Sequence, residues 1–159
     1  MDHLQASRAG SAPEETPRQE WMRVLAQAEP AELDLAFAAL GALPAHRWLR
    51  KPETGMAMVR ARSGGTGAQF NMGELTVTRC ALTLDDGTMG VAYVRGRSQR
   101  HAEQAALADA LLQTGQWHDR LQSRLIEPLA RTHAARRDLQ ARTAAQSKVD
   151  FFTLVRGEN

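Results

Sequence analysis

Apolar residues recur at helical spacing early in the chain and at alternate positions through its middle. Trp21, Val24, Leu25 and Ala28 fall on one face of a helix predicted over Pro17–Ala28. Pro30 suits the first turn of a second helix, because the N–H it lacks would be unpaired there anyway. Leu33, Phe37 and Leu40 give that helix an apolar stripe, and Gly41 is its expected stop. From Arg47 the period drops to two. Strands are expected at Arg47–Lys51, Met56–Arg62, Glu74–Leu84 and Thr88–Arg95, with Asp86-Gly87 predicting a tight primed hairpin turn. No helical stretch separates these strands, so an antiparallel meander is expected over a doubly wound parallel sheet. Arg79 breaks the pattern by sharing a strand face with Leu75, Val77 and Ala81. Either a bulge rotates it outward, or it is buried against an anion or a carboxylate.

Helical spacing returns after Gly96. Ser98 is a good N-cap for a helix reaching about Thr114, with Ala102, Ala105, Ala106, Leu107, Ala110 and Leu111 available for close packing and Gly115 to end it. A further helix starts near Trp117 and uses Leu121, Leu125 and Leu129, with Pro128 kinking or splitting it. Arg131 to Ser147 can be helical but holds little to bury. Val149-Asp150-Phe151-Phe152-Thr153-Leu154-Val155 is apolar on both faces if extended, so it must insert into a sheet or into another chain. The fold class that follows is α+β: an N-terminal helical pair, an antiparallel β meander, C-terminal helices and a terminal apolar strand. Residues 1–15 read as a polar, disordered tail and 16–159 as one domain.

Composition narrows the setting. The 159 residues contain one cysteine, Cys80, which cannot form an internal disulfide, and no apolar run of membrane-spanning length. The polar start has no apolar core of the signal-peptide kind, and the expected location is the cytoplasm. Net charge is only +2 but unevenly spread: seven acids face three arginines before Gly41, and seven bases face three acids between Trp117 and Lys148. Such asymmetry raises an alternative function, a nucleic-acid-binding regulator using the first two helices and the basic C-terminal ones. The second helix, PAELDLAFAAL, carries two acids and no base, which is wrong for a recognition helix facing phosphates.

Two segments have the chemistry of anion sites. Ser63-Gly64-Gly65-Thr66-Gly67 follows Arg60 and Arg62, and glycines allow backbone N–H groups to turn toward a phosphate; the same residues also suit a plain connection between strands. The order fits neither a P-loop nor a dinucleotide fingerprint. Arg95-Gly96-Arg97-Ser98-Gln99-Arg100-His101 puts three arginines at a helix start, with His101 one turn in as a proton carrier or polar contact. An ordinary capped helix accounts for it equally. His46, His118 and His133 are scattered, which predicts no metal site. Cys80, mid-strand among apolar neighbours, reads as a structural thiol, and no serine sits in a nucleophile elbow.

Several ordered motifs carry a resemblance. They are Arg62-Ser-Gly-Gly-Thr-Gly67, Gly73-Glu-Leu-Thr-Val-Thr-Arg79, Asp86-Gly-Thr88, Val94-Arg-Gly-Arg97, His101-Ala-Glu103, Asp109-Ala-Leu111 and the ending Val149-Asp-Phe-Phe-Thr-Leu-Val-Arg-Gly157. Together they resemble the PhnG family, the small subunits of the bacterial carbon–phosphorus lyase core complex. The resemblance spans about residues 17–159 and is loose from Gly115 to Ser147. It implies a subunit acting with PhnH, PhnI and PhnL, with PhnJ completing the core complex and two copies of this chain in a hetero-oligomer. The implied reaction replaces the adenine of MgATP by a phosphonate, giving a ribose 1-phosphonate 5-triphosphate. MgATP is then a substrate of the assembly and no cofactor belongs to this chain alone. The family's nucleosidase-like chemistry is assigned to PhnI, so no catalytic residue is expected here. The resemblance implies ligand or subunit contacts at Arg62, Gly64, Gly65, Gly67, Arg97 and His101. It implies partner docking by Phe151, Phe152, Leu154, Val155 and Arg156. It gives no nucleic-acid or membrane partner.

Overall fold

A computed structural model describes residues 15–146. The predicted tail, apart from Glu15, and the apolar ending with Phe151, Phe152, Leu154, Val155 and Arg156 lie outside the described residues. Helix α1 (Pro17–Gln27) opens with a closed capping box: the Thr16 hydroxyl accepts from Gln19 N–H, and the Gln19 side chain accepts from Thr16 N–H. Helix α2 (Pro30–Leu40) ends at Gly41, whose φ of +77° favours glycine. Both helices bury the stripes expected of them, Trp21, Val24 and Leu25 on one, Leu33, Phe37 and Leu40 on the other.

The middle of the chain is a three-stranded antiparallel meander, β1 (His46–Arg62), β2 (Gln69–Leu84) and β3 (Met89–Arg95), in the order β1-β2-β3. The first two expected strands are one strand. The interruption read at Pro52-Glu53-Thr54-Gly55 is absorbed by register shifts between Trp48 and Arg50 and between Arg50 and Glu53, on an edge strand where a proline costs no ladder bond. The hairpin at Asp86-Gly87 forms, but its turn differs from the primed type. Only Gly87 has positive φ (+87°), so three residues, Asp85–Gly87, make the loop. Leu84 N–H donates to Thr88 O at 2.9 Å, and the Asp86 carboxylate accepts Thr88 N–H at 2.8 Å, which holds that carboxyl below its ordinary pKa.

Helix α3 (Gln99–Leu112) is capped by the Ser98 hydroxyl, which accepts His101 N–H at 3.1 Å. Eleven of its fourteen residues are buried, so it is a central helix and not an amphipathic cover. It lies on the sheet against Cys80, Leu82, Ala92 and Val94, while α1, α2 and α4 (His118–Leu121) cover the rest of it. Its alanines make close approach possible. A Cβ at Gly90 would fall 2.0 Å from the Ala106 carbonyl oxygen, so β3 and α3 meet backbone to backbone.

The chain continues from α4 through a π turn (Gln122–Ile126) into α5 (Glu127–Gln146). The Glu127 N–H bonds Gln122 O, five residues back. Pro128 cannot donate to the fourth residue before it, and the widened turn just ahead relieves that loss; this is the form the expected kink takes. Leu121, Leu125, Ile126 and Leu129 are all buried across it. None of residues 131–146 is buried, as the sparse apolar content predicted. Among the described residues no helix is long and apolar enough to cross a membrane.

The two sheet faces differ sharply. Thr78, Cys80, Leu82 and Leu84 of β2 turn toward α3 and are buried, whereas Leu75, Val77, Arg79 and Ala81 occupy the opposite face. Neither expectation for Arg79 holds as stated. No bulge redirects it, and it is not buried, because the face it shares is the open one. It does meet a carboxylate there: its Nε donates to Glu53 at 2.7 Å, with both side chains nearly half exposed.

Candidate functional site

Register explains why one face of the molecule stays open. β3 pairs with β2 only from Val77 to Thr83, while β1 and β2 stay paired on to Arg62 and Gln69. The excess is a two-stranded arm, Met56–Arg62 against Gln69–Thr76, about 20 Å long. Directly opposed residues share a face. Ala57, Val59 and Ala61 therefore lie with Leu75, Gly73 and Phe70, all apolar. The other face mixes Met56, Met58, Arg60 and Arg62 with Thr76, Glu74, Asn71 and Gln69. Met72 is the extra residue where the register slips between Val59 and Arg60. The apolar side runs on into the open face of the main sheet, where Phe70, Leu75, Met89 and Tyr93 are 44–61% exposed. A patch of that continuity on a monomer marks an interaction surface.

The glycine segment closes the tip of this arm. Ser63–Gly65 form one 3₁₀ turn with positive φ at Gly64 (+59°) and Gly65 (+81°). Gly67 N–H donates to Ser63 O at 2.8 Å, and the Arg62 guanidinium donates to Gly67 O at 3.2 Å. A Cβ on Gly67 would stand 2.6 Å from Ser63 O. The turn geometry thus accounts for all three glycines, and Arg62 helps close the loop.

The second predicted cluster lies elsewhere. Gly96 (φ +96°) donates its N–H to Thr76 O at 2.8 Å, and its carbonyl accepts from the Thr78 hydroxyl at 2.7 Å. Arg97 is exposed, whereas His101 is buried and donates from Nε2 to the Leu25 carbonyl at 2.8 Å. Thr76 and Gln69 are seven positions apart on β2, so the glycine loop and the Arg97–His101 junction stand about 23 Å apart along the strand. The structure does not bring them together.

What the residue patterns missed is the polar centre of the core. Asp109 is fully buried on α3, and its carboxylate accepts four N–H bonds: two from Arg18 (3.1 and 2.7 Å), one from the Trp21 indole (3.0 Å) and one from Val91 N–H (3.0 Å). The Asp109 hydrogen bonds raise the Arg18 pKa above its ordinary value. The available signal was an acid inside Ala105-Ala106-Leu107-Ala108-Asp109-Ala110-Leu111-Leu112, a run otherwise wholly apolar. A second polar link joins α2 to α3, where Asp34 accepts from Arg100 and from Gln104 (2.8 Å). Those bonds hold the Asp34 carboxyl below its ordinary range. Part of the C-terminal basic charge is likewise used within the fold, since Arg136 on α5 faces Glu32 at 3.3 Å.

Chemistry by this chain's own side chains is sparse. The Cys80 thiol donates to Ala102 O at 3.1 Å, and burial pushes its pKa up to about 12, so it is no nucleophile at neutral pH. Among the described residues no three of His, Cys, Asp and Glu converge as metal ligands would. These features define an α+β scaffold with one helix-covered sheet face, one open apolar face and a projecting arm. The chain belongs to the PhnG family: residues 16–157 match the family described as "Phosphonate metabolism protein PhnG". It is also similar to the Rhizobium meliloti (strain 1021) protein named "Alpha-D-ribose 1-methylphosphonate 5-triphosphate synthase subunit PhnG". The two are 41% identical over 142 residues, which cover 89% of this chain and 90% of the relative.

Proposed function

We propose that this chain is a non-catalytic or co-catalytic subunit of an alpha-D-ribose 1-methylphosphonate 5-triphosphate synthase. With partner subunits of the PhnH, PhnI and PhnL types it supports replacement of the adenine of MgATP by a phosphonate. PhnJ completes the assembly, two copies of this chain enter it, and the setting is the cytoplasm. The observation that carries this reading is the 41% identity to the Rhizobium meliloti subunit over nine-tenths of both chains. The open sheet face and the arm support it physically. Burying Phe70, Leu75, Met89 and Tyr93 against a partner removes apolar surface from water and gives association its driving force. Arg62 and the glycines reach such a partner from the tip of the arm, and Arg97 from the sheet end. Phe151, Phe152, Leu154, Val155 and Arg156 supply a further docking segment. The chemical step belongs to a partner chain, in keeping with the sparse chemistry described above.

The test is co-expression of the tagged chain with the other subunits, followed by light scattering of the eluate. A stoichiometric complex that releases adenine from MgATP in the presence of methylphosphonate, and does not do so without this chain, is the expected result. A monodisperse monomer that ignores those subunits overturns the reading.

A further inference from the structure

Strand β3 lies at the edge of the sheet, and its outer margin is only half closed. Gly96 N–H donates to Thr76 O and Leu84 N–H to Thr88 O, so the bonded pairs of the β2–β3 ladder are Thr78–Val94, Cys80–Ala92 and Leu82–Gly90. The backbone groups of Met89, Val91, Tyr93 and Arg95 therefore point away from β2. At the start of this margin the Gln113 side chain donates to Met89 O at 2.8 Å, and Asp109 accepts Val91 N–H at 3.0 Å. Beyond them, the Val91 carbonyl and both backbone groups of Tyr93 have no hydrogen-bond partner among the described residues. Such a margin is a template for one more strand.

A cavity of about 200 Å³ opens along the same stretch, between β3 and α1. Met22, Leu25 and Ala26 of α1, Val94 of β3 and Ala105 of α3 stand in its wall. Arg23, also in the wall, is paired with Glu15 at 3.2 Å. A phenyl ring fits this space, since an apolar cavity of about 150 Å³ already takes benzene. Helix α5 carries the chain to one end of it. His133, Arg136 and Gln140 of α5 line a second cleft together with Arg95, and Ala26 lines both. From Gln140 to the helix end at Gln146 is about 9 Å, and the four steps on to Asp150 reach about 14 Å.

We propose that residues 150–155 of this same chain add to β3 as a fourth strand, with Phe151 seated in the cavity. A segment entering beside Arg95 and running toward Val91 is antiparallel to β3. Side-chain alternation fixes its faces. With Asp150 opposite Arg95, Phe152 lies opposite Tyr93 and Leu154 opposite Val91, all on the open face of the sheet, while Phe151 opposes Val94 and turns toward α1. A slip of one residue would bury Asp150 in the apolar cavity instead. Asp150 is the only acid between Lys148 and Val155, and Arg95 has no ion-pair partner among the described residues, so the charges match in this register. The arrangement explains a segment that is apolar on both faces: one face is held by the chain's own α1, and the other prolongs the open face. That a partner subunit then covers the prolonged face rests on the assembly reading; the seat on β3 does not.

The experiment uses the full chain without partner subunits. Tyr93→Cys with Phe152→Cys puts two thiols on a directly opposed pair, about 5.5 Å apart between Cα atoms and within reach of a disulfide. Mild oxidation should give an intramolecular bond, read as a monomer by non-reducing electrophoresis and mass. Tyr93→Cys with Phe151→Cys, whose second thiol faces α1, should not cross-link. The buried Cys80 thiol, with its pKa near 12, does not compete. Without added cysteines, Phe151→Ala should speed amide exchange at Tyr93 roughly ten- to a hundredfold, the shift expected from losing one buried phenyl group. Phe152→Ala should change it only a few-fold. A covalent dimer would overturn the proposal in favour of strand exchange between two copies. Absence of the disulfide, equal yields from both cysteine pairs, or a freely exchanging Tyr93 amide in the unaltered chain would each overturn it as well. Subunit capture is read separately by co-expression, so failure here leaves the assembly reading standing.

Discussion

Replacing Asp109 by alanine removes the acceptor of four N–H bonds at once. Two belong to Arg18, whose side chain is 42% exposed and can turn to water, so its loss is small, about 0–1 kcal/mol. The Trp21 indole and the Val91 amide have no such exit, and each buried donor left unpaired costs about 1–3 kcal/mol. The sum, about 2–7 kcal/mol, brackets the roughly 3–5 kcal/mol that removing one member of a buried ion pair generally costs. Against a total stability of about 5–15 kcal/mol for a domain, the variant should sit close to unfolding. Arg18→Met poses the converse question, since it leaves a fully buried carboxylate with two neutral donors and no counter-charge. If the four bonds act as one unit, Arg18→Met should destabilise on its own but add almost nothing to Asp109→Ala. Urea unfolding of the full chain, followed by fluorescence of its three tryptophans, measures all four corners of that cycle. A loss below about 1 kcal/mol for Asp109→Ala, or strict additivity with Arg18→Met, would refute the argument.

Other consequences are open to direct measurement. Gly90→Ala should not give a cooperative native state, because its Cβ would lie 2.0 Å from a backbone carbonyl that cannot withdraw; a normal thermal transition would contradict the packing of β3 on α3. Leu75→Glu, on the open face, should leave the melting temperature of the chain nearly unchanged yet abolish capture of the other subunits, and unimpaired capture would remove that face from the interface. Asp34, Glu53 and Asp86 are all held below their ordinary pKa values, first by hydrogen bonds from Arg100, from Arg50 and from the Thr88 backbone respectively. Depressed carboxylates stabilise the fold above their unfolded values of 3.8 to 4.5 and lose that contribution as pH falls through the lower folded ones. Unfolding midpoints should accordingly hold steady from neutrality to about pH 5 and decline below it. Asp86→Ala should flatten part of the decline.

Local signals translated well from residues to structure. Pro17, Gly41 and Ser98 mark helix ends as read, the Thr16 capping box adding to the first without having been anticipated, and the alanines of α3 are buried as their spacing required. The meander was legible because alternation survives any neighbour. What alternation cannot tell is which side faces the core, and Arg79 was misread for that reason. Pro52 looked like a break because a proline is harmless only on an edge strand, and edge status is settled by partners distant in the chain. Asp109 escaped notice for a similar reason. Its donors sit 91, 88 and 18 positions away, so the apolar run around it marks a buried acid without disclosing the partners that hold it. The glycine loop was legible as a turn.

The shortness of β3 bears on how the cell handles this protein. Where β3 stops, the outer margin of β2 from Gln69 to Leu75 has no strand partner among the described residues and lies beside an apolar ribbon, a combination that invites edge-to-edge aggregation. Chaperones and proteases survey for the same surface in newly made chains. A copy synthesised without partners should therefore behave as an orphan, held or destroyed before it accumulates. Its steady-state abundance, read by immunoblot with and without co-expressed partner subunits, should follow the supply of whatever covers that ribbon.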